Sequence, residues 1–348
     1  MPIQKITISE FLDLAKTNLL LDVRSPSEYA HAHIPKAKNL PLFNDEERKI
    51  VGTNYKQQSR EDAIKIGLDF FGPKMRTMVE AVEQMLAANK KENNKTVLVH
   101  CWRGGMRSAG VAWLLDLYGF KVYTLVGGYK TFRNYIVEQF VKLHNFSIVG
   151  GYTGSGKTYV IDALKKDGKR VIDLEGLANH KGSALGAIGM PKQPTQEMFE
   201  NLLGLELAAN EITTTIFLED ESQRIGHNMI PNTLWKNMRS SKVFFIDIPF
   251  EERLNYLVVE YGSLKKEELV NAGIRIQKRL GGLETKNYIN FLLENNFKEA
   301  FSILLKYYDK HYTKGLHNRE NAKELITFIQ AEKVNANASL LLLQKYID

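Results

Sequence analysis

The run Gly151-Tyr-Thr-Gly-Ser-Gly-Lys-Thr158 constrains this chain more than any other stretch. It fits G-x-x-x-x-G-K-T and lies between an apolar segment at 146–149 and a helical pattern at 158–166. A loop of that spacing works only between a buried strand and the start of a helix, so it demands an α/β domain. Gly151, Gly154 and Gly156 let the backbone curl until consecutive N–H groups point at one phosphate. The helix start adds its positive end. Lys157 supplies a point charge, Ser155 sits within the turn, and Thr158 is suited to hold a magnesium ion. The loop does not choose among phosphates, because a nucleoside triphosphate and any other diphosphate offer the same oxygens. A metal-positioning carboxylate is expected at the end of an apolar strand, where Glu219, Asp220 and Glu221 close the stretch from Thr214. Asp220 is the first choice, and Asp173, after Val171 and Ile172, is the competitor.

The chain upstream has its own alternation of strands and helices. Ser9 is placed to cap a helix at 10–16, a buried strand follows at 19–24, and Ser25-Pro26 breaks it. Helices are expected at 60–71 and 75–90, then a polar turn at 91–95 and a strand at 96–100. A further helix at 108–117 carries Ala109, Ala112, Trp113 and Leu117 on one face; Gly119 ends it, and a strand follows at 122–126. Short apolar strands separated by helices predict a parallel sheet covered on both sides. Gly127-Gly128 closes a domain spanning 1–128, residues 129–144 read as a helical connector, and 145–348 form the second domain. In that domain strands are expected at 170–174, 214–219 and 242–248, with a helical part from 251 onward. The fold class is α/β in two domains, the second of them a P-loop domain.

One cysteine in 348 residues excludes both a disulfide framework and a four-thiolate zinc site. Cys101 is therefore an inert core residue or a nucleophile, and its surroundings favour the second. His100-Cys101-Trp-Arg-Gly-Gly-Met-Arg107-Ser108 lies directly after a buried strand and directly before a helix. That position exposes a sulfur at the carboxyl end of a parallel sheet. Arg103, Arg107 and the helix start favour its thiolate. Gly104-Gly105 lets the loop wrap its amides around an anion.

The remaining bounds are broad. A net charge of +7 suits an RNA partner, but a lysine-rich surface explains it equally well. No apolar run approaches the roughly 20 residues that span a bilayer, and the start of the chain lacks a signal-peptide stretch. A cytoplasmic monomer without a membrane partner or a tightly bound cofactor is the expectation.

A family resemblance sharpens this. The segment Leu21-Asp-Val-Arg-Ser-Pro-Ser-Glu-Tyr and its continuation to Pro41 resemble the N-terminal signature of rhodanese domains, and the cysteine loop resembles their active-site loop. C-x5-R, seven residues long, is similar to the phosphatase-like branch and suits an anion about as large as phosphate. A rhodanese-like domain followed by a P-loop resembles the tRNA 2-selenouridine synthase family. Further similar stretches lie at 47–57, 173–186, 193–201, 219–226 and 278–282, so the resemblance runs from about residue 8 to about 312. Lys181 stands where that pattern has arginine, and lysine cannot grip a phosphate bidentately. The element at 307–312 is also similar, without a derivable role. The resemblance implies a transferase with three substrates: the wobble 2-thiouridine of tRNA, geranyl diphosphate and selenophosphate. It implies diphosphate at Lys157 and the selenium donor at Cys101, Arg103 and Arg107. Trp102, Tyr152, His180, Lys181 and Arg224 are candidates to line a pocket for the unstacked base. A phosphatase or sulfurtransferase fused to an ATP-dependent kinase-like module is the alternative. A tRNA-binding protein with vestigial loops is a third reading.

Overall fold

In a computed structural model that describes residues 3–88 and 94–347, the chain divides into two compact units. The first comprises residues 1–139 with 200–204, and the second comprises 140–199 with 205–348. Among the described residues no helix is long and apolar enough to cross a membrane.

The first unit runs β1 (Gln4–Ile6), α1 (Ile8–Ala15), β2 (Leu19–Asp22), α2 (Pro26–His31), β3 (Lys38–Asn39), α3 (Asp45–Gln57), α4 (Arg60–Phe71), α5 (Met75–Ala88), β4 (Thr96–His100), α6 (Met106–Tyr118), β5 (Lys121–Leu125) and α7 (Gly128–Gln139). Its five strands are all parallel, in the order β1-β5-β4-β2-β3. The runs Leu-Leu-Leu-Asp in β2 and Val-Leu-Val-His in β4 are buried along their length, as central strands covered on both faces require. The sheet reverses its strand order beside β4, so the loop after β4 opens at the crevice where such sheets bind ligands.

Local chemistry corrects several expectations. Thr7, not Ser9, caps α1: its hydroxyl accepts from the Glu10 N–H while the Glu10 carboxylate accepts from the Thr7 N–H at 2.9 Å. That reciprocal pair needs Glu three residues on, and Ser9 has Leu12 there. On α6 the expected face is largely wrong. Ala109, Trp113 and Leu117 are exposed, while Ser108, Val111, Ala112 and Leu115 form the buried stripe at helical spacing. The connector expected at 129–144 is helical as far as Gln139, and Tyr129, Phe132 and Ile136 are buried, so α7 packs as part of the first unit. The strand before it ends at Leu125, leaving Val126 exposed. The expected helix end at 89–90 and the first part of the turn at 91–95 lie outside the described residues.

The second unit runs β6 (Phe146–Gly151), α8 (Lys157–Lys166), β7 (Arg170–Val171), α9 (Leu174–Ala178), α10 (Gln196–Ala208), β8 (Ile216–Glu219), β9 (Arg224–Ile225), β10 (Asn228–Met229), α11 (Asn232–Arg239), β11 (Lys242–Asp247), α12 (Phe250–Tyr261), α13 (Lys266–Arg275), α14 (Gln277–Leu280), α15 (Gly282–Leu293), α16 (Phe297–His317), α17 (Ala322–Leu325), β12 (Ile326–Gln330) and α18 (Ala336–Ile347). A parallel sheet of order β12-β11-β6-β8-β7 puts the phosphate-loop strand at its centre. One expectation fails here. The strand at 170–174 stops at Val171, because Asp173 accepts from the Gly176 N–H and starts α9 instead. The region after 251 is mostly helical, as expected, and adds one strand, β12, that pairs with β11. Its Ile-Thr-Phe-Ile-Gln sequence is β-branched and aromatic, as an edge strand should be.

Candidate functional site

In the first unit, Cys101 follows the last residue of β4, and α6 begins at Met106 with Gly105 as its N-cap. Against expectation the sulfur is not exposed: Cys101 is almost wholly buried, its thiol 3.3 Å from the Ser108 hydroxyl, because the loop folds back onto the Gly127-Gly128 turn. The loop leans on the Gly127-Gly128 turn, where the Tyr129 and Lys130 N–H groups donate to the carbonyls of Cys101 (2.8 Å) and Trp102 (2.9 Å). Among the described residues the N–H groups of Trp102, Arg103 and Gly104 donate to no backbone carbonyl, which leaves an arc of donors for an anion.

The two arginines part company. Arg107 is half-buried and held by Glu28 at 2.5 and 3.2 Å. Burial pushes the Glu28 carboxyl up, but Arg107 outweighs it and leaves the group below its ordinary range. Arg103 is exposed and makes no ion pair among the described residues, so it is the cation of the loop open to a ligand. Behind the loop, sequence reading missed Arg24. It is fully buried, bridged to Asp22 through Nη2 at 2.6 Å, and stacked 3.9 Å over the Tyr129 ring. His100, equally buried, is kept neutral by its burial. Trp102 is partly exposed, its ring 5.5 Å from that of Tyr129.

Gly128 makes this packing workable. It has φ of 60°, and a Cβ there would strike the Cys101 carbonyl and the Gly104 nitrogen. Gly128→Ala is expected to cost ~3 kcal/mol or more, from strain and backbone clash together. Gly119→Ala, with φ of 107° but open space around it, should cost only about 1–2 kcal/mol. Thermal unfolding of the two variants checks this; equal losses would mean the close approach is unimportant.

In the second unit, Gly151, Gly154 and Gly156 have φ of 155°, 80° and 73°. The first is nearly extended; the other two lie where side chains are disfavoured. A Cβ on Gly154 would lie 3.1 Å from the Leu257 side chain, and one on Gly156 2.8 Å from Val334. The Ser155 hydroxyl is buried without a partner among the described residues. Lys157 donates to the Gly151 carbonyl at 2.9 Å and lies 5.6 Å from the centre of the Tyr312 ring. The Gly151 N–H donates to the Tyr312 hydroxyl at 3.4 Å. The α8 start leaves its first N–H groups without intrahelical acceptors, facing the same space. The loop lines a cavity of about 1330 Å³ within this unit.

The carboxylates differ from expectation. Asp220 receives the Tyr312 hydroxyl at 2.8 Å and is paired with Arg319, and Asp173 is spent as a helix cap. Glu219 ends β8, and a tight turn in which the Glu221 N–H donates to the Glu219 carbonyl at 2.9 Å keeps Glu221 beside it, where Glu175 of α9 joins them. The three carboxylates offer oxygens all within 4.8 Å of one another, and Thr158 donates to Glu175 at 3.3 Å. Gly182 closes over them, since a Cβ there would lie 2.6 Å from Glu221 and 3.1 Å from Glu175. One Glu219 oxygen is buried with no partner. Such hard oxygen donors beside a phosphate loop fit magnesium, and these three residues with Thr158 would hold it. The end of the apolar strand at Glu219 is a signal for this pair; nothing in the sequence points to Glu175.

Burial, aided by the charge of Glu219, pushes Glu175 up to about 8; burial raises Glu219 and Glu221 as well. The metal-free folded state therefore binds more protons than the unfolded chain between about pH 4.5 and 8. Its stability is expected to fall as pH rises through that window, and Glu175→Gln to flatten the slope. Melting curves in chelator test this, and parallel pH profiles for the two proteins would refute it.

Among the other candidates, Lys181 lines the cavity and lies 3.5 Å from Glu260. His180 is buried, packed against Gly186, with its pKa lowered by that burial. Arg224 is exposed on β9, donates to the Gly226 carbonyl at 2.8 Å and does not line the cavity. Tyr152 packs edge-on against Phe245 and Tyr312.

Residues 7–135 match the rhodanese-like domain, and residues 144–339 match the tRNA 2-selenouridine synthase AAA domain. The chain is 37% identical over 284 residues to the tRNA 2-selenouridine synthase of Hydrogenovibrio crunogenus, covering 76% of each chain. It is 32% identical over 350 residues to that of Psychromonas ingrahamii, covering 91% of this chain and 93% of the relative. With that of Bdellovibrio bacteriovorus it shares 34% over 371 residues, covering 92% and 94%. A phosphate loop and a cysteine loop, each on its own parallel sheet, together with these relatives, show that the chain belongs to the tRNA 2-selenouridine synthase family.

Proposed function

We propose that the chain converts wobble 2-thiouridine in tRNA to 2-selenouridine in two steps, with an S-geranyl nucleoside between them. The observation that carries this reading is the pair of anion cradles, one in each unit, each combining unpaired backbone N–H groups with a lysine or arginine. Two phosphate-bearing reagents need two such cradles. Geranyl diphosphate is assigned to Gly151, Gly154, Ser155, Gly156, Lys157 and Thr158, and selenophosphate to Cys101, Arg103 and the loop amides.

In the first step the base sulfur attacks C1 of the geranyl group. The C1–O bond breaks, its electron pair leaves on diphosphate, and the base gives up its N3 proton. Lys157 and the α8 amides hold the departing charge. Magnesium, where bound at Glu175, Glu219 and Glu221, supplies further counter-charge to diphosphate. Alkylation makes C2 electrophilic and turns a poor leaving group into a thiolate. In the second step the selenium of selenophosphate attacks C2, geranyl thiolate departs, and water cleaves the Se–P bond to release phosphate. Arg103 and the cysteine-loop amides orient the donor. The base must leave its stack to reach either reagent. Lys181 lines the cavity beside Glu260 and meets the base there, whereas His180 acts only by supporting the loop that carries it. We assign this activity on tRNA to the cytoplasm.

The phosphatase alternative leaves the phosphate loop of the second unit without a role, and it would have Arg107 share its guanidinium between Glu28 and a phosphate. Purified protein supplied with 2-thiouridine tRNA, geranyl diphosphate and then selenophosphate should yield the two nucleosides in that order. Release of phosphate from aryl phosphates without any change to tRNA would overturn the reading.

A further inference from the structure

We propose that Arg239 and Lys236 form a further anion site, which grips a backbone phosphate of the substrate RNA beside the wobble nucleotide. The site rests on the reading of that nucleotide as substrate and adds the residues that seat its strand at the phosphate-loop cavity.

Arg239, the last residue of α11, is braced on every side but one. Its Nη2 donates at 2.8 Å to the Gly315 carbonyl, in the last turn of α16 where carbonyls lack intrahelical donors. Its guanidinium carbon lies 5.6 Å from the centre of the Trp235 ring, one turn earlier on the same helix. The Arg239 carbonyl accepts from Arg319 Nη1 at 3.1 Å. Side chain and backbone are both anchored, so little freedom remains to be lost on binding. Yet Arg239 is half-buried, and among the described residues no carboxylate pairs with it. Its Nε and Nη1 donate to nothing there and are not sealed from solvent. Nη2 spends one of two hydrogens on Gly315, so one complete two-donor edge of the guanidinium stays free. Burial and the nearby Arg319 lower the Arg239 pKa, an imbalance that a bound anion corrects. Lys236, three positions earlier, is exposed and makes no ion pair among the described residues.

Trp235, Lys236 and Arg239 line the same cavity as the phosphate loop. Usual small-ligand sites hold about 300–1,000 Å³. At about 1330 Å³ this cavity has room for a second ligand beside one phosphate-bearing reagent. The lining near Arg239 is open, since Thr233, Ser240 and Asn318 are exposed. A continuous chain of contacts leads from there to the reagent. Arg319 bridges the Arg239 carbonyl and Asp220, Asp220 accepts from the Tyr312 hydroxyl, and that hydroxyl accepts from the Gly151 N–H.

Charge selects the class of ligand. Asp220 and Arg319 neutralise each other, which leaves Arg239 and Lys236 against the exposed carboxylate of Glu320. A surplus of one cation suits a phosphodiester, which carries one negative charge and offers acceptors only. The free edge of Arg239 can hold two of its oxygens at once. Such contacts fix the register of a strand without reading its sequence, and an enzyme that must place one nucleotide at a reagent needs that.

The test is binding of a fluorescent anticodon stem-loop RNA, with 2-thiouridine at the wobble position, to the full-length protein across a salt series. Arg239→Gln should weaken binding about ten-fold, about 1.4 kcal/mol, and lower the slope against log salt by about 0.7, the share of one phosphate. Lys236→Gln, at an exposed position, should act in the same direction by about three-fold. Each phosphate flanking the wobble nucleotide is then replaced in turn by an uncharged methylphosphonate. One of the two replacements should cost the wild type about ten-fold and cost Arg239→Gln nothing further. Binding of inorganic diphosphate should be unchanged in both variants. Folded variants with wild-type RNA affinity and salt slope would overturn the site and leave the wobble-nucleotide reading standing. An equal loss of diphosphate affinity would also overturn it, by making the pair part of the reagent site. A wild type with no affinity for the stem-loop would overturn the wobble-nucleotide reading as well.

Discussion

Lys157→Ala should leave cellular tRNA at 2-thiouridine, with neither the S-geranyl nucleoside nor 2-selenouridine detectable by nucleoside mass spectrometry. Removing one well-placed charge from a developing oxyanion typically costs 10²–10³-fold, and the local charge makes the upper end the expectation. Lys157 is the cation whose field lowers the pKa of the three buried glutamates while burial raises it. Without it, the loop keeps its amides but loses the side-chain charge that meets diphosphate. Lys157→Arg should not rescue, because a planar fork cannot follow the turn to the Gly151 carbonyl. An S-geranyl nucleoside made at the wild-type rate by Lys157→Ala would end the assignment of diphosphate to this loop.

Cys101→Ala should separate the two steps. Selenouridine should disappear, a loss of at least ~10³-fold, while the S-geranyl nucleoside accumulates instead of being a trace intermediate. The side chain is small, so the fold should survive at a cost near 1 kcal/mol. A merely structural cysteine predicts something else: both nucleosides fall together, and Cys101→Ser restores both. Wild-type selenouridine from the alanine variant would remove Cys101 from the mechanism. Arg103→Ala should resemble Cys101→Ala in kind and be weaker, since the loop amides persist.

Much of this was legible because it was written in local patterns. Strand, glycine turn and helix around Lys157 follow from spacing alone, and β4 with Cys101 follows from an apolar run meeting a glycine pair. Helix α4 was placed to the residue for the same reason. What escaped depends on pairing across the chain. Asp220 looks like a metal carboxylate until Arg319, 99 positions later, is seen to neutralise it. Glu175 looks like surface charge until α9 turns it toward Glu219. Arg107 looks like part of an anion site until Glu28, 79 positions earlier, claims it. The strand β12 was hidden because its register is supplied by β11, not by its own sequence.

The hydroxyl of Tyr312 moors the first glycine of the phosphate loop across a separation of 161 residues. During synthesis the loop emerges from the ribosome long before the helix that steadies it, and β12 emerges later still. The nascent chain can therefore complete its rhodanese-like half while the nucleotide-like loop stays unfinished. Diphosphate capture becomes one of the last properties this polypeptide acquires, and a messenger cut short before the codon for Tyr312 would yield a protein with every glycine of the loop and no grip.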